Sequence, residues 1–420
     1  MDKTMVWLLL ALLALTCGIF LLIYLVAQPL RMGLYLVLGL GAAFTWLLLV
    51  LRYLRGWELL GSLLLGVVCL AVGYLAATQL YLSRSEQREL PKISLPAANS
   101  ESGRTAVLYY THGEPPAYSA MPWIETFHEL DSDRVSFIPK FARPFFLHNL
   151  RREYLEIGGS AHNKVHQIML RRLEESMPHA KSQGARFYLA FLDNPPRPDE
   201  MAIQAVNEGA GKLVVMPVFL TDSSHTQGGN EMIAALELEK LGVEVCYASP
   251  LWEAQSLRQM FVERAGHHLD GVDKSKVGIL LVGHGQPEDW DRIYPTQTEQ
   301  ETSFRQAVRE LLVQDGYRPE NVVLAWMEFK QPAIPEAVEQ LLDGGVERLL
   351  VFSASISADS IHSDIQVPEA VYSVALPPGV KVVNLGAWGD DPLVIAAIRQ
   401  KILECAPELG VAAQSLITPR

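Results

Sequence analysis

The chain has 420 residues and a formal charge of −12, an acidic balance that offers no electrostatic pull toward nucleic acid, so no nucleic-acid partner is expected. Its length exceeds one ordinary core and calls for two or three compact units. The four cysteines, Cys17, Cys69, Cys246 and Cys405, stand in no paired spacing. This argues against a cysteine-held metal or cluster and against a disulfide framework, and leaves any metal chemistry to histidines and carboxylates.

Three apolar runs open the chain, Val6 to Ala27, Gly33 to Leu51 and Leu59 to Leu82. Each approaches the ~20 residues that cross a ~30 Å hydrocarbon layer. "QPLRM" and "RYLRGWE" separate them with turn and charge signals. No small-residue cleavage site follows the first run, so a removed signal peptide is not indicated. Residues 1–82 are read as a three-helix transmembrane anchor that meets the lipid bilayer through residues 6–82. The runs contain no ionisable side chain apart from Tyr and Cys, which favours an anchor over an ion pathway. Lys3, Arg52 and Arg55 on one side balance Arg31, Arg84 and Arg88 on the other, so charge counting leaves the orientation open. The expected location is a cell membrane with the soluble domains in the cytoplasm.

Residues 83–104, "SRSEQRELPKISLPAANSESGR", are polar and lack an apolar period, as a linker does. Beyond them, short β-branched or apolar runs alternate with longer amphipathic stretches, the pattern of β-α units with a parallel sheet. The expected fold is α/β: two duplicated, doubly wound, Rossmann-like domains, 105–270 and 271–420. The duplication is visible directly. "YLAFLDNPPRPDEMAIQAVNEGAGKLVVMPVFLTDSSHT" (188–226) lies over "VLAWMEFKQPAIPEAVEQLLDGGVERLLVFSASISADSIHS" (323–363). In each, a strand ends in a carboxylate, Asp193 or Glu328, and a later strand runs into Asp-Ser-x-His, at 222–225 and at 359–362. The first half carries about 35 extra residues, within 120 to 160.

Each half also carries a histidine beside glycine at a strand end, His112 in "AVLYYTHGEPPAY" and His284 in "GILLVGHGQPEDW". Ligands of open parallel sheets bind outside the carboxyl ends of the strands, so His112 can meet His225 and His284 can meet His362. Gly283 and Gly285 are read as room for a flat ligand. Two neutral imidazoles plus a carboxylate such as Glu328 would make a weak, open site for a borderline divalent metal. The metal candidates are therefore His112, His225, His284 and His362. Asp359 is read as either polarising an imidazole or capping a turn. Within the extra residues, "RVSFIPKFARPFFLHNLRR" (134–152) sets Lys140, Arg143, Arg151 and Arg152 among Phe137, Phe141, Phe145 and Phe146. Such a mixture suits a flat acidic macrocycle, a membrane surface or an ordinary amphipathic helix. "GAGKL" at 209–213 lacks phosphate-loop spacing, and no dinucleotide fingerprint or nucleophile elbow occurs.

Roughly residues 105 to 405 resemble the chelatase superfamily of ferrochelatases and class II sirohydrochlorin chelatases. "LLVGHGQP" is similar to the histidine loop of both groups, "REYLEIGGSAHNKVHQIMLRRLEE" (152–175) to the ferrochelatase "IGG" segment, "SPLWEAQSLRQMFVERAGHHL" to the stretch joining the two halves, and "IYPTQTEQETSFRQAV" (293–308) to a Tyr-Pro run leading into a helix. The resemblance implies insertion of a divalent metal, Fe²⁺ or Co²⁺, into a porphyrin or sirohydrochlorin-type tetrapyrrole. The metal is then a substrate, with no tightly bound cofactor. It implies catalytic roles for His284 in metal entry and deprotonation, His362 as partner ligand and Glu328 as an orienting group or proton relay. His362 stands where ferrochelatases have glutamate and class II enzymes histidine, so the pattern is mixed. The alternatives from other classes are a non-catalytic, membrane-tethered carrier of metal or tetrapyrrole, and an extracytoplasmic metal-binding receptor.

Overall fold

The computed structural model describes residues 2–95, 103–135 and 138–410; Phe137 lies outside them. Contacts divide the chain into two compact units, residues 1–88 with 117–159, and residues 89–116 with 160–420.

In the first unit, the three apolar runs become α1 (Lys3–Val26), α2 (Pro29–Tyr53) and α3 (Trp57–Leu82), all long and apolar enough to cross a membrane. Proline at the first position of α2 starts that helix, since its missing N–H has no partner to lose there. Helices α1 and α3 approach backbone to backbone. A Cβ on Gly18 would lie 2.1 Å from the Leu70 carbonyl oxygen, and one on Gly73 would lie 2.3 Å from that of Leu15. Such small-residue contacts are how apolar helices gain van der Waals packing where no hydrophobic drive separates them from lipid.

The extra residues form α4 (Met121–Ser132) and α5 (Arg143–Ile157), which belong to this unit. Their basic side chains are engaged within it. Arg151, 1% exposed, donates to the carbonyls of Tyr24 and Ala27 at 2.7 and 2.8 Å, satisfying acceptors that the end of α1 leaves open. Arg143, 2% exposed, makes a two-pronged pair with Asp131 at 2.6 and 3.0 Å over the Phe127 ring. The Tyr74 hydroxyl of α3 donates to the Phe141 carbonyl at 2.6 Å. Two of the arginines expected to suit a macrocycle or a membrane surface, Arg143 and Arg151, are thus spent on internal contacts.

The second unit holds β1 (Arg104–Thr111), α6 (His162–Ser176), α7 (Pro178–Ser182), β2 (Arg186–Phe191), α8 (Pro198–Asn207), β3 (Ala210–Pro217), α9 (Ser224–Ala234), β4 (Glu244–Tyr247) and α10 (Gln255–His267). There follow β5 (Val277–Gly283), α11 (Glu288–Ile293), α12 (Pro295–Gln314), β6 (Val322–Trp326), α13 (Ile334–Asp343), β7 (Arg348–Ser353), α14 (Val367–Tyr372), β8 (Lys381–Gly386) and α15 (Pro392–Cys405). The strands make two parallel four-stranded sheets with the same order, β2-β1-β3-β4 and β6-β5-β7-β8, as the duplication requires. The central strands are buried on both faces: Val107 pairs with Phe187 and Val214, and Leu281 with Leu324 and Phe352. This explains why "AVLYY" and "GILLV" read as continuous apolar runs rather than alternating ones.

The two sheets share one apolar core. Phe261 of α10 packs against Phe304 of α12 and Phe352 of β7, in a cluster that also takes in Val107, Met216 and Trp388. The last helix, α15, packs on α6 and β3 of the first lobe. One sequence expectation fails here: Cys246 of β4 and Cys405 at the end of α15 form a disulfide. Their separation of 159 residues hid the pairing, because spacing rules detect only short-range motifs. Closing so long a loop restricts the unfolded chain strongly, so Cys246→Ser is expected to cost about 2–5 kcal/mol of unfolding free energy, measured by denaturant titration against the oxidised protein.

Candidate active site

In each sheet, the first strand lies between the second and the third. The chain therefore reverses direction of travel between β1 and β3 and between β5 and β7, and a crevice opens at their carboxyl ends. His284 follows β5 directly and His362 opens a helical turn (His362–Gln366) on the segment leaving β7. Their ring centroids are 5.2 Å apart and the rings nearly perpendicular, at 87°. The His284 Nδ1 lies 2.7 Å from the Gly285 carbonyl, which can only accept, so Nδ1 carries the proton. The His362 Nδ1 likewise donates to the Gln366 side-chain oxygen at 2.6 Å. In its neutral form, each ring would then offer an Nε2 lone pair. Burial, and then the neighbouring His284, push His362 down to about 3, so it is neutral at cellular pH.

His284 is held from behind. Its N–H donates at 2.6 Å to Glu301, a 2%-exposed carboxylate of α12 that also accepts the Ser355 hydroxyl. Next to it, fully buried Arg305 donates to the Leu281 and Ala325 carbonyls at 3.3 and 2.6 Å and lies 3.8 Å from the Trp326 ring centre. Gly283 exists for these groups. A Cβ there would sit 2.5 Å from the Arg305 guanidinium carbon and 2.8 Å from the Glu301 carboxylate, whereas Gly285 takes φ +81° against the Glu328 carbonyl. The expectation that both glycines make room for a flat ligand is corrected accordingly. Glu328 itself is exposed. Its N–H donates to the His284 carbonyl at 3.1 Å, but its carboxylate makes no hydrogen bond or ion pair among the described residues.

The first lobe repeats the arrangement with one difference. His112 follows β1, and its ring lies 4.8 Å from that of His225 on the first turn of α9. Here the carboxylate engages: Asp193 is 2.6 Å from the His112 Nδ1. Burial opposes charge on His112, but the Asp193 carboxylate outweighs it and raises the imidazole to about 9. Burial, and then charged His112, lower His225 to about 4. The two pairs also sense each other, His284 lowering His225 and His112 lowering His362. Asp359, by contrast, senses Arg264 and Asp390 rather than an imidazole. Burial raises its carboxyl and Arg264 partly offsets this.

Two further imidazoles were not anticipated. His162 and His166 stand four apart on one face of α6, rings 4.6 Å apart, both buried. His166 lies 2.6 Å from the Tyr109 hydroxyl and 3.2 Å from the Ser357 hydroxyl of the other lobe. Burial lowers both, His162 to about 3. The H-x-x-x-H spacing in "HNKVH" was the available signal.

A two-lobed, doubly wound α/β fold with paired histidines at both switch points defines a chelatase-type protein. Residues 104–406 match the ferrochelatase family, and the chain belongs to that family. It is 24% identical to the ferrochelatase of Synechococcus elongatus over 263 residues, 58% of this chain and 66% of that one, so the matched stretch spans just under two thirds of that relative's length. It is 27% identical over 95 residues to the sirohydrochlorin cobaltochelatase of Methanothermobacter thermautotrophicus, 23% of this chain and 57% of that one. Among solved structures, the sirohydrochlorin chelatase SirB of Bacillus subtilis subspecies spizizenii, in complex with cobalt, aligns with a TM-score of 0.45 and 14% identity over 72% of this chain and 96% of that one.

Two outcomes test this geometry. Gly283→Ala is expected to lose about 1–3 kcal/mol of stability by overpacking Arg305 and Glu301; unchanged denaturant stability with weakened ligand binding would restore the flat-ligand role. His112, raised to about 9 from 6.5, adds stability that is fully present below pH 6.5 and lost as pH rises through about 9. In a proton NMR titration of the metal-free protein, Asp193→Asn should bring the His112 midpoint down to the ordinary range or below.

Proposed function

We propose that this protein is a membrane-anchored chelatase that inserts Fe²⁺ or Co²⁺ into a porphyrin or sirohydrochlorin-type tetrapyrrole. The observation that carries the reading is the His284–His362 pair, two imidazoles 5.2 Å apart whose Nδ1 protons are donated away from Nε2. Insertion needs two pyrrole N–H protons to leave as the metal arrives. One neutral imidazole can ligate the metal while its partner accepts a proton. In this reading His284 delivers the metal and takes a proton, and His362 is the partner ligand. Exposed Glu328, joined through its backbone to His284, passes protons to bulk water rather than ligating. His112 and His225 form a second metal-handling pair, and the reaction calls for no resident cofactor.

With full-length protein in detergent micelles, His284→Ala and His362→Ala are each expected to lower metal insertion at least about a hundredfold, the scale of lost acid–base function, with an unchanged melting temperature. Wild-type turnover in both would remove the assignment. Repeated turnovers per chain separate an enzyme from a carrier, which would stop at one equivalent. Trials of several tetrapyrroles with Fe²⁺, Co²⁺ and Ni²⁺ identify the substrates.

The three apolar helices support anchoring in a bilayer. The Cys246–Cys405 disulfide supports placing the soluble unit on an oxidising side of that bilayer, in preference to the cytoplasm expected from the sequence. On intact cells, both thiols should resist alkylation until a reductant is added. Free thiols at 246 and 405 under non-reducing conditions would return the unit to the cytoplasm.

A further inference from the structure

Each histidine of the proposed C-terminal site has its backbone tied down by a carboxylate outside its own loop. For His284 it is Glu301, from the same lobe. For His362 it comes from the other lobe. Glu114 stands on the loop that leaves β1, and both of its carboxylate oxygens lie 3.2 Å from the N–H of Ile361, the residue before His362. That N–H sits at the start of a helical turn, where no intrahelical acceptor exists, and Ile361 is buried. No other acceptor reaches it among the described residues. Without Glu114 it would be a buried donor with no partner.

Glu114 is itself braced in the first lobe. The Ser160 hydroxyl donates to its carboxylate, Ser160 Oγ accepts the His162 N–H at 3.1 Å, and the Glu114 N–H donates to the Asn163 side-chain oxygen at 3.0 Å. The Ser160 N–H also donates to the Pro116 carbonyl at 3.2 Å. The sequence repeat sharpens the contrast. The position matching Glu114 in the second lobe is Gln286, whose amide is spent inside its own lobe on Asp291 at 2.8 Å and the Tyr294 carbonyl at 2.9 Å. The lobe carrying the carboxylate is thus the one that reaches across.

We propose that Glu114 is a positioning residue for His362, so that the first lobe completes the site of the second. The proposal rests on the assignment of His362 as a metal-handling histidine. Glu114 acts through the backbone just before His362, setting where the imidazole stands. Displacing a reacting group by about 1 Å can cost on the order of a hundredfold in rate.

The test uses full-length protein in micelles, with Co²⁺ alone as the spectroscopic probe and tetrapyrrole insertion as the kinetic one. Glu114→Ala is expected to lower kcat about 10- to 100-fold while KM for the tetrapyrrole moves less than about threefold, because positioning rather than substrate binding is lost. The visible absorption of bound Co²⁺ should change as well. Glu114→Gln keeps an oxygen to accept the Ile361 N–H and should restore most of kcat and the Co²⁺ spectrum. Wild-type kcat and spectrum in Glu114→Ala, or a Gln variant as impaired as the Ala variant, overturns the proposal. If Glu114→Ala does not fold, Ser160→Ala takes its place: a severalfold loss of kcat at unchanged KM is expected, and none overturns the proposal. His362→Ala is run alongside. Full turnover in that variant sinks the underlying site assignment, whereas its loss of turnover together with an unaffected Glu114→Ala sinks the positioning role alone.

Discussion

The site depends on a constraint of parallel sheets: the first strand of each lobe lies between its second and third. A chain that adds its second strand on one side and its third on the other must part its loops between the first and third strands. Whatever residues follow those strands then face one another across the gap. In both lobes these are histidines, one directly at a strand end and one on the first helical turn after the next crossing. The pairing of imidazoles is therefore a product of strand order, and it survives although the lobes differ in length and in loop sequence.

Strand order alone does not decide what each pair can do, and the carboxylate after the second strand does. Asp193 reaches the His112 ring at 2.6 Å and pushes its imidazole up to about 9, while Glu328, at the matching place, leaves its carboxylate in solvent and lends only backbone to His284. The work of orienting His284 passes instead to Glu301, supported by the Ser355 hydroxyl. Arg305 beside it donates to the Glu301 backbone carbonyl at 3.4 Å, and its guanidinium is tied to two strand carbonyls and a tryptophan face.

Much of this was legible in the sequence because it is periodic or repeated. Continuous apolar runs gave away the parallel strands and the three long helices, and Asp-Ser-x-His with His beside Gly gave away the duplicated site. What stayed hidden lacks a local signature. Glu301 and Arg305 look like ordinary charged positions of an amphipathic helix until the fold turns them under His284. Glu114 becomes informative only once Ile361, far along the chain, is brought to it. Cys246 and Cys405 needed the crossing of α15 onto the first lobe to meet. The extra residues within 120 to 160 read as an insertion in the soluble part, yet Arg151 caps carbonyls of α1 and Arg143 pairs with Asp131, contacts that no spacing rule foresees.

The protonation of the two pairs bears on which of them handles metal in the proposed reaction. A metal can bind an imidazole only through a lone pair, so a proton on the ring competes with it. His362 is neutral well below cellular pH, and its Nε2 is free to ligate without first losing a proton. His112, raised to about 9 by Asp193, would hold its proton at pH 7 against a metal arriving there. A pair of imidazole ligands with no anion beside them would bind a divalent ion loosely, which in the proposed reaction would suit a site that hands its metal to a macrocycle losing its protons. An engaged carboxylate of the Asp193 kind beside His284 would tighten the metal and slow its departure. In the proposed reaction, the solvent-facing position of Glu328 would make the second lobe the better place to pass a metal on.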